Sequence, residues 1–383
     1  MMVINAVTSD SRVINEATSL ASNGYELTVL AFKIGNAASE ERINGFAVKR
    51  FSSIMRYNTF LGSLELFLKL TLAAIRQNAD IYHAHDTSTL LQCYIAARLR
   101  HAPIIYDSHE VNVDPQDSGL RKSYRYPFYH IIEKLLIGRV DAVITVNSYI
   151  AKYLENRYHL KKSIYIIMNC PSLKEDLQSG KTIKNTPCLD ELIIQKQKNR
   201  KIIIYQGAIS QRRCLKQLVE AMQYLPDKYC LFILGAGPLL PELKKFTASN
   251  NLNERIFFPG LIDLEQLQSC TKQADIGVTL VAEGLNYYLS SPNKLFQYIH
   301  AGLPIIAQNF PFYKEINECY DIGYLIESVE PQVIANAIKA VLEDDTLYLK
   351  MKSNTVIAKE RYNWEKESKV LLEIYRKINS NNN

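Results

Sequence analysis

Residues 201–237 read KIIIYQGAISQRRCLKQLVEAMQYLPDKYCLFILGAG. An apolar run, KIIIYQG (201–207), gives way to a polar loop and then to CLKQLVEAMQYL (214–225), whose apolar residues recur at helical spacing. A second apolar run, YCLFILGAG (229–237), follows. Strand, helix-length crossover and strand is the grammar of a parallel sheet. The same rhythm continues downstream. PLLPELKKFTASN (238–250) reads as a helix, RIFFPG (255–260) as a strand, LEQLQSCTKQ (264–273) as a helix and ADIGVTLV (274–281) as a strand. In SSPNKLFQYIHAGLPII (290–306), Ser291 suits an N-cap and Pro292 the first helical position. Gly302 suits the position past the end, so a helix over 292–301 leads into a strand near 304–307. GYLIE (323–327), a helix over 331–344 and two closing helices complete this half, the last near 361–378 around the single Trp364.

Upstream the grammar repeats. MMVINAV (1–7), ELTVLAF (26–32), AVKRFSS (47–53), DIYHAHD (80–86), APIIYDSHE (102–110), DAVITVN (141–147) and SIYIIMN (163–169) read as strands. Helices are expected over 11–24, 61–77, 89–100 and 148–157. Residues 171–200 are polar and Lys-rich and read as a linker with a lead-in helix near 189–197. The expectation is an α/β chain of two doubly wound, Rossmann-like domains facing a cleft: 1–170, joined by 361–383, and 201–360.

Net charge is +6, too small an excess to argue for nucleic acid but compatible with an acidic small ligand or an anionic surface. The seven cysteines are scattered and odd in number, which points to reduced thiols, a cytoplasmic setting and no structural zinc. No stretch is long and apolar enough to read as a membrane span.

Doubly wound sheets bind ligands beyond the carboxyl ends of their strands. Three polar groups fall there in the first half: Ser9, Asp10 and Arg12; His83, His85 and Asp86 of HAHD; and Asp107, His109 and Glu110 of YDSHE. Such groups suit hydrogen bonding to sugar hydroxyls or acid/base work. HAHD shares one strand face between two histidines, but no third ligand is evident, so a metal is discounted. The second half offers QGAISQRRCL, with Gly207, Arg212 and Arg213. It also offers LGAGP, whose Gly235 and Gly237 allow close backbone approach, and the start of the 292–301 helix with Ser291, Pro292, Asn293, Lys294, Leu295 and Gln297. Arginine forks, a lysine and a helix start together suit a diphosphate.

These motifs resemble the retaining glycosyltransferases of family 4, which have the GT-B fold. The likeness runs over nearly the whole chain and is carried by DIYHAHD, IIYDSHE, SPNKLFQYIHAGLPII and the late RYNWEKES. It implies transfer of a hexose or N-acetylhexosamine from a nucleotide-diphosphate sugar, UDP being the base expectation, to a glycan or lipid-linked acceptor in surface polysaccharide or glycoconjugate synthesis. No metal or other cofactor is implied. By resemblance, Arg213 and Lys294 hold the donor diphosphate and Gln297 meets the ribose hydroxyls. His109 touches the donor sugar, with Asp107, Glu110 and Asp86 orienting it or meeting the acceptor. The last helix is expected to return to the first domain. Departures are Gln297 and Leu289 where the family pairs two glutamates, Ala208 for an arginine, Arg213 for a lysine, Cys214 for a glycine and TSDSR for a Gly-rich loop. They leave a non-catalytic subunit that activates a partner transferase as the alternative. Two basic–apolar stretches, 49–70 and 121–139, are either ordinary amphipathic helices covering the sheet or a contact with an anionic membrane at its inner face.

Overall fold

The computed structural model describes residues 1–8, 10–55, 59–111, 125–174 and 187–382. Ser9, parts of both basic–apolar stretches (56–58 and 121–124) and residues 175–186 of the expected linker lie outside them. The chain divides into two compact units, Met1–Asn169 with Glu365–Asn383, and Cys170–Trp364.

In the first unit the strands are β1 (Thr28–Phe32), β2 (Glu40–Ile43), β3 (Phe46–Phe51), β4 (Tyr82–His85), β5 (Ile104–Ser108), β6 (Ala142–Thr145) and β7 (Tyr165–Ile166). β1 pairs in parallel with β3, and β4 to β7 form a parallel ladder in chain order. The run 1–7, read as a strand, is reduced to bridges from Met2 to Leu30 and Ala84; these stitch β1 and β4 into one sheet. The Asn5 side chain accepts the Val7 N–H at 2.8 Å and Val7 turns to φ 64°, which ends the extended run early. β4, β5 and β6 are buried on both faces, as parallel strands under helices must be. β2 was not foreseen. It pairs antiparallel with β3, and its residues, EERI, are mostly exposed, so no apolar pattern marks it. The Ser11–Ser22 helix is capped by Asp10, whose side chain accepts the Val13 N–H.

The closing helix, Trp364–Asn382, belongs to the first unit for almost all of its length. It buries Leu371, Ile374, Tyr375 and Ile378, and Glu367 accepts the Met168 N–H at 2.8 Å.

In the second unit the strands are β8 (Lys201–Gln206), β9 (Tyr229–Leu234), β10 (Ile256–Gly260), β11 (Ile276–Thr279), β12 (Ile305–Gln308) and β13 (Gly323–Ile326). All are parallel, in the order β10-β9-β8-β11-β12-β13. The winding reverses between β8 and β11, the place where this architecture opens a crevice for ligands. Three local expectations are corrected here. The helix expected over 214–225 is an α-helix (Leu215–Ala221) that tightens into a 3₁₀ turn (Met222–Tyr224), and Cys214, at φ 48°, stands at its N-cap and separates it from an earlier 3₁₀ turn (Gln211–Arg213). A short helix, Leu285–Leu289, was missed. The helix after SSP runs Asn293–Ala301 with extended Pro292 at the N-cap, so Ser291 does not cap it. Pro292 also favours an extended residue before it.

Candidate functional sites

The first unit gathers its polar residues beside the junction of the Met2 segment, β4 and β5. Arg12 reaches across from the Ser11–Ser22 helix and grips Asp107 with two bonds of 2.8 Å, while a third, at 2.6 Å, goes to the Ile167 carbonyl. Both side chains are almost wholly buried. Burial alone would push Asp107 up, but Arg12 and His109 outweigh it and hold the carboxyl well below the usual range. His109 Nε2 lies 3.0 Å from Asp107 Oδ2, and its Nδ1 lies 3.4 Å from Asp86 Oδ2. Asp86 Oδ1 also accepts the His109 backbone N–H. Burial works against the imidazolium, yet the two carboxylates prevail and raise His109 to about 9. His109 keeps 19% of its side chain in solvent, so a charged imidazolium is presented at the surface of this unit. Asp86 itself stands at φ 61°, a left-handed conformation that is strained for a residue with a Cβ. Glu110 is exposed, and its backbone carbonyl accepts the Ser108 hydroxyl at 3.2 Å.

Below His109 lies a layer the sequence did not reveal. His83 and His85 stack with ring centroids 4.4 Å apart and planes 16° from parallel. His83 Nδ1 meets Tyr375 of the closing helix at 2.9 Å, and His85 Nδ1 lies 3.3 Å from Asp107. Glu16, one helical turn from Arg12, is fully buried and pushed up to about 8, chiefly by burial. Its Oε2 lies 3.9 and 4.0 Å from the two Nε2 atoms, too far for direct hydrogen bonds. Glu16 and Asp107 therefore supply the carboxylates that the HAHD reading lacked. The set still does not fit a metal. Near-parallel stacked rings cannot aim both Nε2 lone pairs at one ion, Asp107 is already engaged by Arg12 and His109, and a guanidinium occupies the same neighbourhood. Arg12 and Glu16 are spaced i, i+4, the one signal in the sequence that could have paired them.

In the second unit Lys294 is 7% exposed, and its Nζ has no hydrogen-bond partner. It lies 3.9 Å from the Tyr205 ring centroid, and a Cβ added to Gly207 would come within 3.3 Å of it. Burial first, and then the charge of Arg213, lower its pKa well below that of an ordinary lysine. Arg213 is half-buried and stacks over Tyr287, with 5.4 Å from guanidinium to ring centroid. The Ser291 hydroxyl nearby in sequence is buried and also unpartnered. Gln297 is already engaged within the protein. Its carbonyl accepts from Gln206 at 2.6 Å, and Gln206 in turn accepts from Thr271 at 2.7 Å. Its amide N–H groups and the second lone pair of its carbonyl remain to meet a ligand.

The LGAGP glycines pack closely on the protein's own backbone. A Cβ on Gly235 would stand 1.9 Å from the Gly207 carbonyl oxygen, and one on Gly237 would stand 2.2 Å from that of Ile209. The close approach they permit is to the Gly207–Ile209 loop, which is pinned by Gly207 N–H to Leu234 and Ile209 N–H to Ala236. Asn293 is exposed, Pro292 and Arg212 are intermediate and Leu295 is buried in the core.

Residues 11–173 match the family model described as Glycosyltransferase Family 4, and residues 191–356 match the one described as Glycosyl transferases group 1. The chain has the GT-B fold, two α/β parallel-sheet domains with a closing helix. An uncharacterized glycosyltransferase of Methanocaldococcus jannaschii is 25% identical to it over 300 residues, 76% of this chain and 73% of that protein. HepE of Anabaena, solved in complex with UDP, aligns over 98% of both chains with a TM-score of 0.73 and 18% identity. Sucrose-phosphate synthase of Thermosynechococcus elongatus aligns over 99% of this chain and 98% of its own, with a TM-score of 0.77 and 18% identity.

Proposed function

We propose that the chain is a retaining glycosyltransferase that takes a hexose or N-acetylhexosamine from a UDP-sugar and delivers it to a glycan or lipid-linked acceptor at the cytoplasmic face of a membrane, in surface polysaccharide or glycoconjugate synthesis. The observation that carries this reading is Lys294: a buried amine with no partner, facing a second cation, Arg213. Two like charges in partial burial are costly together and become favourable when a dianion lies between them. A nucleoside diphosphate is such an anion, and UDP is what HepE was solved with.

In this reading Lys294 and Arg213 neutralise the leaving diphosphate as the bond from the sugar C1 to the phosphate oxygen breaks. The acceptor oxygen bonds to C1 on the same face, and its proton passes to the leaving phosphate oxygen. No protein nucleophile is needed, and the protein's share is positioning and charge stabilisation. His109, held as an imidazolium by Asp107 and Asp86, is the donor-sugar contact, with Arg12 fixing Asp107. Gln297 meets the ribose hydroxyls as a donor through its amide, a weaker bond than a carboxylate would make.

Calorimetric titration with UDP, GDP and ADP, then with UDP-sugars, tests the proposal. Saturable binding of one nucleoside diphosphate, lost in Arg213→Ala and in Lys294→Ala, is expected. Binding unchanged in both variants overturns the site. Binding of none of them by the unaltered chain favours a non-catalytic subunit.

A further inference from the structure

The layer beneath His109 ends in polar atoms that the protein itself does not satisfy. His83 and His85 stand two apart on β4 and so face one side, toward Glu16 of the Ser11–Ser22 helix. All three side chains are at most 1% exposed. Both Nε2 atoms and both oxygens of Glu16 lack a hydrogen-bond partner. Arg12 Nε comes within 3.1 Å of Glu16 Oε1, but its one proton goes to Asp107 at 2.8 Å. Several orphaned groups at one buried place point to a molecule that bridges them.

The other ring nitrogens fix where the protons are. Burial, ahead of every other influence, lowers both histidines below their ordinary pKa, so each ring is neutral and carries one N–H. The Tyr375 hydroxyl makes its one hydrogen bond among the described residues with His83 Nδ1, at 2.9 Å. Its proton has no other acceptor there, so it donates, and the His83 proton sits on Nε2. His85 is the reverse. Its Nδ1 lies 3.3 Å from both Asp107 Oδ2 and His109 Nε2. His109, an imidazolium, gives its Nε2 proton to Asp107 at the shorter 3.0 Å. A bare His85 Nδ1 would then face a carboxylate, so Nδ1 carries the proton and Nε2 is bare. One donor, His83 Nε2–H, and one acceptor, His85 Nε2, thus stand 3.9 and 4.0 Å from Glu16 Oε2. Polar atoms about 4 Å apart are too far for a direct bond but can share one molecule at about 2.8 Å from each. A metal needs lone pairs, and His83 presents a proton. An anion needs donors, and His85 presents a lone pair. Water gives and accepts at once.

We infer that one water molecule is bound between His83 Nε2, His85 Nε2 and Glu16 Oε2. It accepts from His83, donates to His85 and makes its third bond with Glu16; about three bonds are usual for an internal water. With it a single line of donors runs inward from the closing helix: Tyr375 to His83, His83 to water, water to His85 and His85 to Asp107. Hydrogen bonds aligned head to tail strengthen one another. The line ends on the carboxylate that holds His109, so the water links the seat of the Trp364–Asn382 helix to that charged ring. The inference concerns the first unit and does not depend on the donor site.

A high-resolution crystal structure of the full chain tests it. One density peak is expected at about 2.8–3.0 Å from the three atoms. No peak between well-ordered rings overturns the inference. So does a peak at about 2.0–2.1 Å from a ring nitrogen, which would be a metal. The proton order is read separately, by nitrogen-15 NMR of the labelled histidine rings at neutral pH, since protons are not seen at ordinary resolution. A proton on Nε2 of His83 and on Nδ1 of His85 is expected. The same tautomer in both rings, or a doubly protonated ring in either, overturns the assignment of a water as donor and acceptor there. Neither measurement uses a nucleotide, so the donor-site reading and this one can fail independently.

Discussion

Replacing Lys294 by methionine removes the ammonium group and keeps the unbranched stem. Without nucleotide, the buried Nζ has no partner and only the Tyr205 face to offset its burial. An unsatisfied buried polar group costs about 1–3 kcal/mol. A cation–π contact returns about 1–2 kcal/mol of that. The net expectation is a gain of roughly 1 kcal/mol in the variant, or a melting temperature of the second unit higher by about 2–4 °C for a unit of this size. With nucleotide the order inverts. At about a hundred times Kd the parent gains roughly 2.7 kcal/mol. The variant has lost a charge-assisted bond of about 1.5–3 kcal/mol, so most of that gain disappears. Thermal unfolding of both proteins, with and without UDP, GDP and ADP, should therefore give curves that exchange order on adding the correct nucleotide. The pH dependence has a fixed sign. Because burial lowers the folded-state pKa, the folded chain binds fewer protons than the unfolded chain between that value and the ordinary lysine pKa, so the parent gains stability as pH rises through this window. The advantage of methionine is largest below it and fades above. A variant that melts below the parent without nucleotide, or that keeps the parent's nucleotide shift, refutes the reasoning.

Three further outcomes follow from the geometry. Arg12→Gln leaves Asp107 as a buried charge without its bidentate partner, and chemical denaturation should show a loss of about 3–5 kcal/mol; a loss under about 1 kcal/mol contradicts the pairing. Glu16, raised to about 8, binds its proton more tightly folded than unfolded, so the stability it supports is present in acid and lost as pH climbs from the ordinary carboxylate range through about 8. Glu16→Gln should flatten that decline in a series of unfolding curves, and an unchanged slope assigns it to other groups. Gly237→Ala places a methyl 2.2 Å from the Ile209 carbonyl oxygen and should cost about 1–3 kcal/mol while loosening the loop that carries Arg213; a neutral effect on melting would show that the loop can yield.

The alternation of apolar runs and helical patterns was enough to read both sheets, because fully buried parallel strands such as VITV within DAVITVN leave an unbroken apolar signature. What escaped notice had no such signature. β2 is exposed, the Met2 segment is cut short by an Asn5 turn, and the break at Cys214 is a left-handed residue in an otherwise helical pattern. The site divides in the same way. Strand ends pointed to Asp86, Asp107 and His109. Arg12, which helps to set their charges, also stood among the strand-end candidates, but Glu16 on the same helix and Tyr375, 292 residues from His83, are brought in by tertiary packing that no local pattern encodes. The LGAGP turn shows a related limit of local pattern. A glycine's freedom shows that something approaches closely, but not whether it is a ligand or the protein's own backbone.

The return of the Trp364–Asn382 helix to the first unit fixes an order of events during synthesis. Domains generally form as the chain emerges, amino-terminal portions first. Here the amino-terminal unit is the one that must wait. His83 has no Tyr375, and the Met168 N–H no Glu367, until the Trp364–Asn382 helix has been translated. The second unit, Cys170–Trp364, is contiguous and can close before then. A ribosome that stops just short of the final helix would release a chain whose later half is finished and whose earlier half still exposes the seat of that helix. The codons for that helix therefore decide whether the first unit's histidine cluster ever forms.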